Sequence, residues 1–344
     1  MTTARSGKHQ KKKKAHTRMK VKQASKLPKL PVLLEKKLYK TGSTRGADDD
    51  QIYQNRVLRN GTALIYLPQW ASWRKRAEDG EFENGYIVLL APHEYFKSEN
   101  EIRKLGLTLG VNALVFFETR EQWNNNNPTA LGWREASSRT APLGGQFVAR
   151  VPANAGQGAV RKGFAESKSK GAGIRQYEYA SKVTIEDCRL QLEAIFWLCV
   201  DSVEVVQRYG MSPEDAAKRR DAILDQATEK KLLDLKRLEA ARITVNGNAS
   251  CPLCLECFSA EGFFSKMEQA DGRTVHDLTV TQLNLFHVEE LRVSTLNHIP
   301  YNLGWGHHHC NVVVKDSGIV KTLEWMSAVL ERNKDAGHFP KSPS

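Results

Sequence analysis

No apolar run in these 344 residues approaches the roughly 18 positions that a membrane span needs, so no transmembrane helix is expected. The basic start has no apolar segment behind it, so it does not read as a secretory leader. Acidic residues are nearly missing from the first forty positions, where Glu35 alone offsets 14 Lys and Arg. Cysteine is missing until Cys188, and the chain holds six in all. A disulfide framework is therefore excluded from the N-terminal half. The expectation is a reducing, cytoplasmic setting, where clustered cysteines read as metal ligands before disulfides.

What is present fits a globular protein of two or three domains. Hydrophobic residues make up 40% and charged residues 26%, enough to bury a sizeable core. The net charge of +12 is local. The first forty residues carry +13, so the other 304 sum to −1. The stretch "GKHQKKKKAHTRMKVKQ" lacks periodicity, and residues 1–26 are expected to be a disordered basic tail. Such a tail suits a polyanion, because each phosphate neutralised releases counterions. It equally suits a solubility extension.

An ordered region is expected over 27–182. "GTALIYLP", "NGYIVLLAP" and "NALVFFETR" read as strands, with a helix at "SENEIRKLGLTLG" between the last two; this alternation predicts an α/β unit. Residues 124–175 are rich in Gly, Asn and Ser, with one strand at "GQFVARV". They carry Arg134, Arg139, Arg150, Arg161, Lys162, Lys168, Lys170 and Arg175. Basic residues on glycine loops can follow a phosphate backbone or enter a groove. Residues 183–247 read as two helices, a connector or dimerisation region. One runs from an N-cap at Thr184 to Gly210. The other covers about thirty residues from Ser212 without a breaker. Cys188 and Cys199 read as core thiols. A C-terminal tail is expected over 334–344.

Chemistry concentrates in 248–333. Cys251-Pro-Leu-Cys254 places two thiols on a tight turn, where they can grip one tetrahedral zinc. The only distant cysteine is Cys310, with His307 three residues before it. Cys251, Cys254, His307 and Cys310 thus form a Cys-x2-Cys…His-x2-Cys set, read as a closed structural Zn²⁺ site. Cys257 could replace one ligand, although its apolar surroundings favour a core thiol. Between the two halves lies a predicted strand, Leu283 to Val288, with His287 near its end. Asn302 stands five residues before His307, Asn311 follows Cys310, and a helix is expected from His309.

This arrangement resembles the HNH, or ββα-metal, nucleases: a cysteine knuckle, a strand histidine, a middle asparagine, and a metal-binding residue after the last zinc ligand. The chain is also similar to BstXI-type restriction endonucleases through "KLPKLPVLLEKKLYKTG", "DDDQIYQNRV", "ENGYIVLLAP", "ETREQW" and "PYNLGWGHHHCNVVVKD". The fold the resemblance implies is mixed α+β: an N-terminal α/β DNA-recognition region, a helical connector, and a C-terminal zinc-stapled ββα-metal domain. The activity it implies is metal-dependent, site-specific cleavage of double-stranded DNA by a homodimer. His287 would be the general base, Asn302 would orient it, and Asn311 would ligate a catalytic Mg²⁺. His308 and His309 receive no role.

One position departs from the pattern. The HNH family carries an acid or histidine before the base, whereas this chain has Phe286. Asp277, Glu289 or Glu290 could supply the missing oxygen. The departure keeps open a non-enzymatic, zinc-dependent DNA-binding protein. A nonspecific HNH nuclease is the third reading, opposed by the long N-terminal region.

Overall fold

The computed structural model describes residues 27–40, 61–97, 99–136, 144–151, 160–162, 174–265, 281–315 and 317–338. The basic tail, Asp277, Arg139, Lys168 and Lys170 lie outside them.

After helix α1 (Val32–Lys40) come β1 (Ala63–Tyr66), α2 (Leu67–Glu78), β2 (Tyr86–Leu90), α3 (Pro92–Lys97), α4 (Glu99–Lys104), β3 (Ala113–Phe117), α5 (Arg120–Asn125), β4 (Phe147–Val151), β5 (Val160–Lys162) and β6 (Ile174–Arg175). The six strands form one sheet in the order β5-β4-β3-β2-β1-β6, parallel except for β5 at the edge. Parallel strands are covered on both faces, so their sequences "ALIY", "YIVLL" and "ALVFF" read as unbroken apolar runs. Successive residues alternate between two cores. Ile65, Val88, Val115 and Phe117 meet Trp70, Trp73 and Trp123 from the helices, while Leu64, Ile87, Leu89, Leu114 and Phe116 fill the opposite face. The α/β alternation expected from the sequence is thus present. The helix expected at "SENEIRKLGLTLG" is the short α4 alone, and α3 stands before that span.

The second core is helical. It comprises α6 (Lys182–Trp197), α7 (Ser202–Arg208), α8 (Pro213–Glu229) and α9 (Leu235–Ala240). The two long helices expected here are each divided. Ser181 rather than Thr184 caps α6, accepting from Thr184 N at 3.1 Å, and the chain turns between Trp197 and Ser202. After α8 the backbone passes through Lys231 at φ +58, and Asp234 caps a new helix by accepting from Arg237 N. A short side chain at Asp234 competes with helix propagation, and Tyr301 reinforces the break by donating its hydroxyl to Lys231 O at 2.7 Å.

These helices pack directly on the C-terminal elements: β7 (Thr244–Val245), β8 (Asn248–Ala249), β9 (Leu283–His287), β10 (Leu303–His307), α10 (His308–Val314) and α11 (Ile319–Asp335). Trp305 of β10 is fully buried and donates Nε1 to Leu192 O of α6 at 2.9 Å. Leu30, Leu34 and Leu38 place α1 in this core rather than with the sheet. Arg219 ties it there. Its guanidinium grips Glu193 at 2.6 and 3.0 Å and also donates to Pro28 O. A buried, bidentate pair tolerates the loss of neither partner. Among the described residues no helix is long and apolar enough to cross a membrane.

Candidate metal centre and active site

The first half of the centre is a turn built by backbone rules. Asn246 and Gly247, at φ +51 and +78, make the tight β7–β8 hairpin that an Asn-Gly pair favours. Cys251 follows. Leu255 N donates to Cys251 O at 2.8 Å, and Cys251 N donates to Glu256 O at 2.9 Å. Arg242 closes the turn from outside, donating to Pro252 O and Leu253 O. Nothing in the spacing of the sequence marks Arg242 for this task.

The second half is the hairpin β9–β10, antiparallel with His287 opposite Leu303 and Leu283 opposite His307. The "GWG" of β10 follows from packing. A Cβ on Gly306 would stand 2.6 Å from Phe286 and 3.4 Å from Cys251 Sγ, and one on Gly304 would press on Ile243 at 3.2 Å. Phe286, fully buried, stands opposite Gly304 in register and its ring lies against Gly306. Phe286 is therefore a core residue and offers nothing to a metal.

The ligand atoms of Cys251, Cys254, His307 and Cys310 all lie within 4.8 Å of one another. Cys254 Sγ stands 3.4 Å from His307 Nδ1. Sulfur and nitrogen on one tetrahedral zinc are about 3.6 Å apart, from bonds of about 2.3 and 2.0–2.1 Å. Burial first, then the neighbouring Cys251 and Cys254 sulfurs, pushes the Cys310 thiol up. Three sulfurs and an imidazole nitrogen gathered at this spacing form a donor set that suits zinc. Cys188 and Cys199 are buried, as expected of core thiols, whereas Cys257 is exposed and not the core thiol its apolar neighbours suggested. The surrounding "ECFSAEGFF" is no continuous core segment: it bridges back to Ser250 at Cys257 before a short 3-10 turn.

His287 sits at the other end of the hairpin. Its partner Leu303 is four residues from His307, so His287 lies about 13 Å from the cluster at roughly 3.3 Å per residue. Its Nε2 is 3.3 Å from Nδ1 of His298, an almost fully buried residue of the β9–β10 connection that sequence reasoning missed. Asn302, at the base of the same connection, holds the backbone of Glu289 and Asn297 with its carboxamide. Asn302 reaches the histidine's strand through its own carbonyl, which accepts from Val288 N at 3.0 Å.

Helix α10 spans the hairpin lengthwise. At its start His308 N donates to Gln282 O at 2.8 Å. Just past its end, a Cβ on Gly318 would stand 2.9 Å from Glu290 Oε2, beside the β9–β10 connection. Asn311 is carried half-buried on this helix. Among the described residues Oε2 of Glu290 is buried without a hydrogen-bond partner, while Oε1 takes Arg292 Nε at 2.6 Å. Among the described residues no second group of three or more His, Cys, Asp and Glu donors forms. Mg²⁺ needs few protein ligands, because it retains water and binds substrate phosphate. The sparse set is compatible with it. His308 is half-buried with Nδ1 2.9 Å from Asn284 Nδ2, and burial, then His309 and Lys37, lowers its pKa. His309 is exposed and stacks on His307 at 5.4 Å.

Together these features define an α/β protein in which a parallel sheet and a helical core carry a hairpin–helix unit, beside a Cys/His cluster that could hold a metal ion. The model of the BstXI restriction endonuclease family matches residues 36–308, well over half of the chain, and the chain belongs to that family. It is accordingly a Type II restriction endonuclease, a hydrolase of DNA. The match ends at His308, so Cys310 and Asn311 stand just beyond it. No curated protein and no solved structure matches the chain.

Proposed function

We propose that this endonuclease cuts double-stranded DNA at a specific palindromic site as a homodimer, and that residues 248–333 are its HNH, or ββα-metal, nuclease domain. The observation that carries the reading is the continuous unit β9–β10–α10: it has a four-ligand cluster at one end, and His287 and His298 at the other. Zn²⁺ would be held by Cys251, Cys254, His307 and Cys310. The separation of about 13 Å supports a structural role, since a zinc at that distance cannot activate the water that His287 handles.

His287 would act as general base, a neutral imidazole taking the proton of a water molecule. The water oxygen then bonds to phosphorus while the P–O ester bond opens, and the leaving oxygen takes up a proton from solvent. Asn302 would keep the loop beside His287 in one conformation. Asn311 is the candidate ligand of Mg²⁺. When bound, that ion supplies charge stabilisation at the phosphate and the leaving oxygen. One such unit per chain cuts one strand, so two strands related by a two-fold axis call for two copies.

The sheet region, with its basic loops, would read the DNA. Phe286 is the observation on the side of a non-enzymatic zinc protein, and its burial against Gly306 answers it in part: the position was taken for packing. Incubating the protein with plasmid and Mg²⁺ separates the readings. Discrete fragments support site-specific cleavage. A smear points to a nonspecific nuclease, and intact plasmid to a binding protein.

A further inference from the structure

The turn that divides α8 from α9 borders a cavity that the chemistry at the hairpin leaves unused. The cavity holds about 340 Å³ and is lined by Thr228, Lys231, Leu233, Asp234, Arg237 and Tyr301. Its frame is fixed at several points. Tyr301 donates its hydroxyl to Lys231 O at 2.7 Å and accepts from Asp234 N at 3.1 Å. Gln191 of α6, fully buried, accepts from Tyr301 N and donates to Leu232 O, each at 2.7 Å. Lys231 and Tyr301 both adopt a positive φ, +58 and +66, where bulky side chains are rare. Backbone of this kind persists only where its surroundings impose it. The cavity is thus built by tertiary contacts.

Its lining is cationic. Lys231 and Arg237 against Asp234 leave a charge of +1. Asp234 is engaged in capping α9, its Oδ1 accepting from Arg237 N at 3.1 Å. The Arg237 guanidinium carbon lies 3.9 Å from the centre of the Tyr301 ring. An aromatic face orients a guanidinium without consuming its N–H donors. Both cations are exposed, and among the described residues neither side chain pairs with a carboxylate. The adjacent Lys230, by contrast, is taken by Asp187 at 2.7 Å. An oriented guanidinium beside an ammonium suits the oxygens of a phosphate.

The cavity also lies at the His287 end of the hairpin. Tyr301 is two residues from Leu303, the register partner of His287. That is roughly 7 Å along the strand and one strand spacing of about 5 Å across. A DNA strand advances about 3.4 Å along the axis per nucleotide, so one strand can reach both places within a few nucleotides. We infer that Arg237 and Lys231 hold a backbone phosphate of the DNA strand close to the bond that is cut, a proposal that rests on the β9–β10–α10 unit being the nuclease. They are positioning residues: the contact sets where the duplex lies and reads no base.

The test compares Arg237→Gln with Lys236→Gln, the same loss of charge at an exposed neighbour outside the cavity. The probe is a duplex carrying the mapped cleavage site, and its Kd is read in Ca²⁺ across a salt series. Arg237→Gln should weaken binding about tenfold, the scale of one lost hydrogen-bonded charge contact. It should also reduce the slope of log affinity against log salt by about 0.9, the value of one phosphate. Lys236→Gln should change both far less. Single methylphosphonates placed along the duplex locate the contact. One neutral linkage within a few nucleotides of the cut should weaken the wild type and leave Arg237→Gln indifferent. Equal losses for the two variants would overturn the proposal, because diffuse charge would then explain both. So would a methylphosphonate profile that Arg237→Gln does not alter. Inorganic phosphate that stabilises the wild type but not Arg237→Gln, at unchanged Kd for the duplex, would make the cavity a free-anion site and also overturn it. Should Arg237→Gln not fold, Lys231→Gln takes its place in the same comparison. Failure here stays distinct from failure of the nuclease reading. If His287→Ala cuts normally, the reading of the hairpin is wrong; if His287→Ala is dead while Arg237→Gln binds like the wild type, only this inference falls.

Discussion

Asn302 holds Glu289 by both ends of its backbone: Oδ1 accepts from Glu289 N at 2.6 Å, and Nδ2 donates to Glu289 O at 3.1 Å. The side chain imitates a neighbouring strand just where β9 has ended. The same carboxamide also takes Asn297 O, so one residue ties both flanks of the connection. Asn302→Ala leaves those backbone groups without their partner. It should cost about 2–3 kcal/mol of stability, at 0.5–1.5 kcal/mol per net hydrogen bond. Urea denaturation measures that cost, and metal analysis should show zinc retained. Cleavage should fall with DNA affinity unchanged; an Asn302→Ala protein of wild-type stability and rate would show that the clamp is idle.

Metal content is the plainest prediction. About one zinc should copurify per chain, and Cys254→Ser should lose it and lower the melting temperature, because metal binding at such a site contributes folding energy. Cys257→Ser should change neither quantity, since this thiol is exposed and outside the cluster. A folded, zinc-free wild-type protein rejects the assignment.

The histidines should separate by position rather than by proximity to the cluster. His287→Ala should lose about 10²-fold or more in cleavage while keeping zinc and DNA binding. His309→Ala should cost far less, because the exposed ring only stacks on His307. His308→Ala should fall between, through its contact with Asn284. Asn311→Ala should resemble His287→Ala but recover partly in higher Mg²⁺ or in Mn²⁺, as a lost ligand weakens metal affinity and a lost base does not. A titration with both metals tells the two defects apart.

Lys37 gives a pH dependence with a definite sign. It is 4% exposed, donates to Thr281 Oγ1 and stands 5.9 Å over the Phe263 ring; burial lowers its pKa from 10.5 to about 7. Between those values the unfolded chain binds more protons than the folded one, so stability from this group rises with pH across that window, and the penalty is full below it. Lys37→Met removes the penalty. Urea unfolding should find the stability difference between Met and wild type largest near pH 6 and smaller toward pH 10. A difference that stays constant means that Lys37 does not titrate there.

Deleting residues 1–26 should weaken nonspecific DNA binding and flatten its salt dependence, because phosphate contacts release counterions. The cleavage site should stay the same. A shifted cut site, seen by sequencing the ends of digested plasmid, would mean that the tail reads bases.

The sequence by itself determined whatever depends on neighbours along the chain. Apolar runs of β-branched and aromatic residues specified the parallel strands, since a strand buried on both faces has no polar side to show. The Cys251–Cys254 turn and the His307–Cys310 pair were legible because metal geometry fixes short spacings. The divided helices were not legible: the breaks at Lys231 and after Trp197 follow from a capping Asp234, a distant Tyr301 and the core beneath. Nor could spacing reveal Arg242, which braces the turn from outside, or His298, eleven residues from the histidine it touches. Only tertiary structure decided these, because α6, α2 and the Asn302 clamp together bend the connection until the two imidazoles meet, and no local preference encodes a contact that three separate elements impose.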